Sequence, residues 1–311
     1  MMNAKSLKGY VLAAVAAATY GTNPAFAVPL YAEGMNANSV LLFRYLLGLP
    51  LLVAMILARG HNLRLRRSEI GPVATLGVLM AASSLTLFES YNYMNSGVAS
   101  TLLFVYPVMV AVLMVFFFHE RFRATTVVCL ALMGAGLLML MRTDAGAEPV
   151  SPFGCCLVML SSLTYAFYLV MINVSRTVRG IPTLKLLFYV LLSGSSLFVF
   201  VWAAGTPLTL PPAASGWLNL GALAFFPTVV SLICTTVAIQ CIGSTPTAIF
   251  GAFEPVTAVV LSVIVLGQPL TARELAGGML IVLAATLVIV GDPVGAVLLR
   301  VRKMFPRRKR A

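Results

Sequence analysis

Ten apolar runs, each close to the length of a membrane span, leave this chain one class of fold. They cover residues 8–31, 37–58, 70–94, 98–118, 123–141, 153–175, 183–203, 214–241, 246–266 and 271–291. A helix needs about 20 apolar residues to cross the hydrocarbon core of a bilayer. Only 10% of the 311 residues are charged and 60% are hydrophobic, whereas a soluble domain carries about 25% charged residues. Mean hydropathy is +0.99 over the whole length, which excludes a large soluble domain beside the runs. Lipid offers no hydrogen bonds, so a spanning backbone must pair internally, as a helix or a closed barrel. The alternating apolar and polar residues of a barrel strand are absent. The expectation is an all-α polytopic membrane protein with ten transmembrane helices.

Lysine and arginine orient those helices. With the N-terminus inside, the inner segments hold 18 of the 21 basic residues, including seven from Arg300 to Arg310. The outer segments hold Arg142 and Arg273, and Arg44 lies within the second run. Basic residues concentrate on cytoplasmic loops, so both termini are expected in the cytoplasm of a bacterial inner (plasma) membrane. The same bias accounts for the net charge of +12. The basic tail, residues 292–311, is expected to meet the bilayer and its anionic lipids. No nucleic-acid partner is expected, since no folded domain accompanies "RVRKMFPRRKR".

The chain repeats itself. "GYVLAAVAAATY" (Gly9 to Tyr20) matches "GCCLVMLSSLTY" (Gly154 to Tyr165) at an offset of 145, and "LLFRYLLG" (Leu41 to Gly48) meets "LLFYVLLS" (Leu186 to Ser193) at the same offset. "YPVMVAVLMVFF" (Tyr106 to Phe117) meets "EPVTAVVLSVIV" (Glu254 to Val265) at 148. Residues 1–141 and 153–291 therefore read as two five-helix repeats joined by a periplasmic linker, 142–152. Five is odd, so the second repeat enters the membrane from the opposite side. Inverted repeats of this kind enclose a midplane site in secondary transporters. The repeat also argues that the signal-peptide imitation ending at Ala25-Phe26-Ala27 is retained as a structural helix.

"FRYLLG" in the second run, "VYPVMVAVLMVFFFHERF" across the fourth and "FEPVTAVVLSVIVLGQPLT" across the ninth resemble the drug/metabolite transporter superfamily, EamA type. The resemblance covers nearly the whole chain; family members often carry Glu where Gln268 stands. It implies a monomeric or homodimeric carrier of small metabolites, often an amino-acid exporter. It also implies a central cavity lined mainly by runs 1, 3, 4, 6, 8 and 9. It does not name the small-molecule substrate.

Several residues are candidates for that cavity. Pro107 and Pro255 occupy matching places in the two repeats, and each frees a backbone carbonyl four residues earlier, at Leu103 and Gly251. Paired helix breaks in inverted halves point to a substrate site. Glu254 stands beside one break, about nine residues into its run and ~13 Å deep at ~1.5 Å per residue. A charged side chain there costs about 2.5–3.5 kcal/mol. Glu254 either faces the cavity or bonds freed backbone at the break. Glu89 is the second acid, and Thr86, Glu89, Tyr93 and Ser96 follow helical spacing on one face. Glu89 reads as a substrate-amine or proton site, or as an acid reaching the outer headgroups. Tyr20 and Asn23 in the first run, Tyr106 before Pro107, Tyr165 and Tyr168 in the sixth, Thr235 in the eighth and Phe250 in the ninth complete an aromatic, amphipathic lining. Arg44 reads first as a structural buried charge that ties helices together, and second as a substrate-carboxylate ligand.

No metal, cofactor or catalytic centre is expected. The five cysteines fall within runs, the two histidines, His61 and His119, lie at the inner boundary, and no phosphate-binding glycine loop is present. The reading is a secondary transporter, an exporter or exchanger of small organic metabolites with amino acids first, working by alternating access. The alternatives are a membrane enzyme acting on lipids and a non-transporting sensor or accessory subunit.

A reporter fused after Ala311 tests the orientation. Green fluorescent protein at this position should fluoresce and alkaline phosphatase should stay inactive; an active phosphatase would require an odd number of spans.

Overall fold

The computed structural model describes residues 4–60, 62–94, 96–118, 124–140, 151–257, 260 and 271–290. Most of linker 142–152, the second part of the "EPV…LGQPLT" block (261–270) and the basic tail lie outside the described residues. Among the described residues there is no β-strand. Six helical spans are long and apolar enough to cross a membrane: Ala4–Ala32, Ala37–Ala58, Arg67–Ser90, Pro152–Val174, Thr183–Ala203 and Ala214–Ile242. Shorter apolar helices lie at Tyr106–Phe118, Ala124–Met139 and Leu275–Val288.

In chain order the elements are α1 (Ala4–Tyr20), α2 (Asn23–Ala32), α3 (Ala37–Ala58), α4 (Arg67–Ser90), α5 (Ser96–Leu103), α6 (Tyr106–Phe118) and α7 (Ala124–Leu140). They continue with α8 (Pro152–Val174), α9 (Arg176–Arg179), α10 (Thr183–Ala203), α11 (Ala214–Leu223), a π-helical segment (Ala224–Val230), α12 (Ser231–Ile242) and α13 (Ser244–Phe250). Residues 253–257 are helical, and α14 spans Ala272–Val290. Within the described residues, each apolar run is thus one helix or one helix with an interruption.

The interruptions have local causes. In the fourth run the helix opens at Phe104–Val105, just before Pro107, and in the ninth at Gly251–Ala252, just before Pro255. Proline fits the first turn of a helix because N–H groups there have no partner in any case. Each proline therefore starts a second half-helix. The half-helices before the two breaks, α5 and α13, open at Ser96 and Ser244, the same offset of 148 that relates the repeats. They sit at opposite ends of α8. Tyr93 and Met94, just before α5, pack on Gly154 at its start. Ser244, opening α13, accepts a hydrogen bond at 3.1 Å from Asn173 near its end.

Two further breaks have no counterpart in the other repeat. The first run opens at Gly21–Thr22, ahead of Pro24, and the eighth relaxes into the π segment around Pro227. Both are held by one residue. Arg44, on α3 and 1% exposed, donates from Nε to Thr228 Oγ1, from one terminal nitrogen to Asn23 Oδ1 (3.0 Å) and from the other to the Pro227 carbonyl (3.2 Å). Thr228 in turn donates to the Leu223 carbonyl at 2.7 Å, across the widened turn.

Glycines set the closest helix crossings, as expected where small residues let membrane helices approach. A Cβ on Gly77 of α4 would lie 1.9 Å from Ser193 Oγ and 2.7 Å from the Val190 carbonyl of α10. A Cβ on Gly136 of α7 would lie 2.7 Å from the Gly277 carbonyl of α14, so this glycine pair makes its contact within one chain.

Replacing Arg44 tests its role as a brace. Arg44→Met strands three buried acceptors, and leaving even one unpaired costs about 1–3 kcal/mol. Arg44→Lys keeps the charge but loses the planar fork that reaches all three. Both variants should melt in detergent below wild type, methionine lower than lysine. A methionine variant that melts with wild type would contradict the assignment.

Candidate functional site

The fourth- and ninth-run breaks meet at a small central cavity of about 10 Å³, space for about one water molecule. α1 supplies Ala13, Ala16 and Ala17, α6 supplies Tyr106, and α8 supplies Tyr165 and Leu169. α12 supplies Thr235, α13 supplies Thr247 and Ala248, and the ninth-run break supplies Gly251 and Glu254. The alanines let α1 come close without filling the space. Their helix is tied to α12 by Ser231 Oγ, which donates to the Ala16 carbonyl at 3.0 Å.

The carbonyls freed by the breaks find partners here. Ser162 Oγ on α8 donates to the Leu103 carbonyl at 2.9 Å. The Tyr106 hydroxyl, from the fourth-run break, donates to the Ala248 carbonyl of α13 at 3.3 Å. That contact needs a glycine opposite it: a Cβ on Gly251 would lie 1.6 Å from the Tyr106 hydroxyl. The Gly251 carbonyl itself accepts from the Glu254 backbone N–H at 2.8 Å. The first-run break packs on the ninth, where a Cβ on Gly21 would lie 2.4 Å from the Glu254 carbonyl.

Aromatic rings form one wall. Tyr106 meets Tyr165 edge to face, centroids 4.9 Å apart, and Tyr165 stacks with Tyr168 at 6.0 Å. Glu254 is the one Asp, Glu, Lys or Arg among the lining residues, and it is half-buried.

A second, larger cavity of about 320 Å³ lies beyond α13, at the end of α8 where Asn173 stands. Tyr10, Thr125, Cys129, Asn173, Ile249 and Val288 are among its walls. α13 divides the two spaces: Thr247 and Ala248 face the central cavity, while Ser244, Thr245, Pro246 and Ile249 face the larger one. α13 is preceded by Gly243, whose φ of +89° is open to glycine and strained for other residues.

Of the residues expected from sequence, the structure brings Tyr106, Tyr165, Thr235 and Glu254 to the central cavity, with Pro107 and Pro255 beside it. Tyr168 is fully buried one ring behind Tyr165. Tyr20 and Asn23 belong to the Arg44 brace, the guanidinium lying 5.9 Å from the Tyr20 ring centre. Phe250 packs in a separate apolar cluster with Ala13, Ala238 and Ala285, its ring 5.5 Å from Tyr10. Glu89 and Tyr93 lie elsewhere. α4 ends at Ser90, so the expected helical stripe from Thr86 to Ser96 does not continue. Glu89 accepts from Asn92 Nδ2 at 3.1 Å, and the Tyr93 ring packs on Phe153 at 4.9 Å.

Sequence reasoning missed Thr247 and the three alanines of α1, and it placed Gly251 at the break, four residues before Pro255, without naming it as lining. The alanines gave no signal, because small residues on a membrane helix serve any close contact.

Comparison with known proteins agrees with this architecture. The family model for the EamA-like transporter family matches residues 7–142 and again 152–290. The chain is 28% identical over 251 residues to a protein named uncharacterized inner membrane transporter YedA of Escherichia coli (strain K12), covering 80% of each chain. It is 29% identical over 277 residues to one named uncharacterized transporter YvbV of Bacillus subtilis (strain 168), covering 84% of this chain and 86% of that one. A solved crystal structure superposes with a TM-score of 0.78 at 19% identity, over 93% of this chain and 98% of the other, a likeness of fold. Apolar helices throughout, interrupted where they meet, and a family match over nearly the full length lead to one conclusion: the chain is a multi-pass membrane protein that belongs to the EamA-like transporter family, a transporter rather than an enzyme.

Proposed function

We propose that the chain is a secondary carrier of small organic metabolites, amino acids first among them, in a bacterial inner membrane with both termini cytoplasmic. It works by alternating access around the central cavity, as exporter or exchanger. The observation that carries this reading is the position of α13, a single short half-helix between the central cavity and the larger one. Its repeat mate α5 lies at the opposite end of α8. Two half-helices related by the repeat, one toward each end of a shared site, are the parts that alternating access needs. The site's aromatic wall and few polar groups suit a small metabolite. The relatives named as transporters support the same general role.

Purified protein in proteoliposomes tests the reading. Loaded vesicles, offered labelled amino acids and common metabolites with and without a proton gradient, should exchange at least one solute faster than protein-free vesicles. No carried solute across a broad panel would count against it.

The contact between the two breaks gives a sharper test. Gly251→Ala should slow transport at least tenfold and lower the melting temperature, because its Cβ meets the Tyr106 hydroxyl. Tyr106→Phe removes that hydroxyl, so the double variant should recover part of the loss. Strict additivity of the two substitutions would show that they do not touch, since coupled neighbours deviate from additivity.

A further inference from the structure

We propose that Glu254 seats an ammonium group: the central site takes the amine end of its substrate and offers no cation to a carboxylate end. The inference rests on the carrier reading above and shifts its substrate preference from amino acids toward amines without a carboxylate. It also moves the amine-binding role from Glu89, which the structure places at Asn92 and outside the cavity lining.

The charge balance of the cavity is the first ground. Its lining holds one carboxylate and no lysine, arginine or histidine. Among the described residues Arg44 is the buried cation, and all three of its nitrogens are engaged with Thr228, Asn23 and the Pro227 carbonyl. At 1% exposed it has no face left for a ligand. Arg179, behind the larger cavity, donates to Asn173 Oδ1 at 2.8 Å and lines neither cavity. Among the described residues, Arg273 is held by the Leu138 carbonyl at 2.9 Å. A ligand carboxylate would therefore meet Glu254 with no compensating charge, and like charges in a desolvated site repel strongly.

The neutral lining is the second ground, since beside its apolar residues and the Thr235 and Tyr165 hydroxyls it offers acceptors and a ring face. An ammonium group carries three donors and no acceptor. Thr247 Oγ1 spends its own proton on the Gly243 carbonyl at 2.7 Å, which leaves its lone pairs free to accept. The hydroxyl of Tyr106 likewise spends its proton on Ala248. The carboxylate of Glu254 supplies the charged acceptor. The edge-to-face arrangement of Tyr106 and Tyr165 presents a ring face as well, and a cation over a tyrosine ring is attracted by its quadrupole.

Three probes of one skeleton and different charge decide the matter: 2-phenylethylamine, L-phenylalanine and phenylacetate. Wild-type protein in detergent is treated with dicyclohexylcarbodiimide, and adduct at Glu254 is measured by peptide mass spectrometry. The amine should block the adduct at least tenfold more strongly than phenylacetate does, with phenylalanine between them. Equal protection by phenylacetate, no protection by the amine, or no adduct at Glu254 without probe would each overturn the proposal. The amine should also raise the melting temperature of wild type, keep part of that shift in Glu254→Asp and lose it in Glu254→Gln. If Glu254→Gln fails to fold, the wild-type protection result stands alone as the test. Uptake separates the two levels. Solutes carried by wild type, with amine carriage unchanged in Glu254→Gln, would sink the ammonium site and leave the carrier. Amine protection without any carried solute would leave the ammonium site and sink the carrier.

Discussion

A backbone inside lipid has no water to complete its hydrogen bonds, and the rest of this structure depends on that constraint. Unbroken helices satisfy it by themselves. Each interruption therefore needs a partner, and those with named partners share a pattern. The Leu103 carbonyl has Ser162, the Ala248 carbonyl accepts from Tyr106 as well as from the Gly251 N–H, and the openings at Asn23 and Pro227 share Arg44. These side-chain partners come from neighbouring helices, so every break is also a place where helices are tied. Two of these breaks, in the fourth and ninth runs, also line the central cavity, and there Tyr106 serves both the break and the wall.

Two kinds of tie result, and they differ in stiffness. Arg44 is a rigid fork with three acceptors on two other segments, fully enclosed. It holds the first-run break and the π segment as one unit with α3. The Tyr106–Ala248 bond is a single neutral contact at 3.3 Å, between the two repeat-related breaks. A net hydrogen bond between membrane helices averages about 0.6 kcal/mol, small enough to be exchanged in a transport cycle. The difference fits the proposed division between a static scaffold at Arg44 and a moving α13, which the Asn173–Ser244 bond also holds at its start. α13 carries the weaker one and has Gly243 at one end and Gly251 at the other.

Much of this was legible in the sequence because lipid leaves few options. Apolar length marks the helices, and the prolines at Pro107 and Pro255 mark breaks that appear two to four residues before them. The breaks at Gly21 and Pro227 were not read, although each carries a proline within an apolar run. They lack a mate in the other repeat, and internal repetition was the filter that singled out the first pair. The stripe from Thr86 to Ser96 failed for a different reason. Helical spacing assumes that the helix continues, and nothing between Ser90 and Met94 forbids it; tertiary packing of Tyr93 and Met94 against α8 ends it there. Glu254 was ambiguous between cavity and backbone, and the fold places its side chain in the cavity lining while its backbone N–H closes the break.

The central claim is that one cavity, bounded by α13, serves both sides of the membrane. The most direct test places a single cysteine at Thr247 in a background without the five native cysteines. A membrane-impermeant thiol reagent is then applied to vesicles of each orientation, with and without a transported solute. The account predicts labelling from either side and protection by the solute from both. Labelling from one side only, or labelling that saturating solute leaves unchanged, would contradict it.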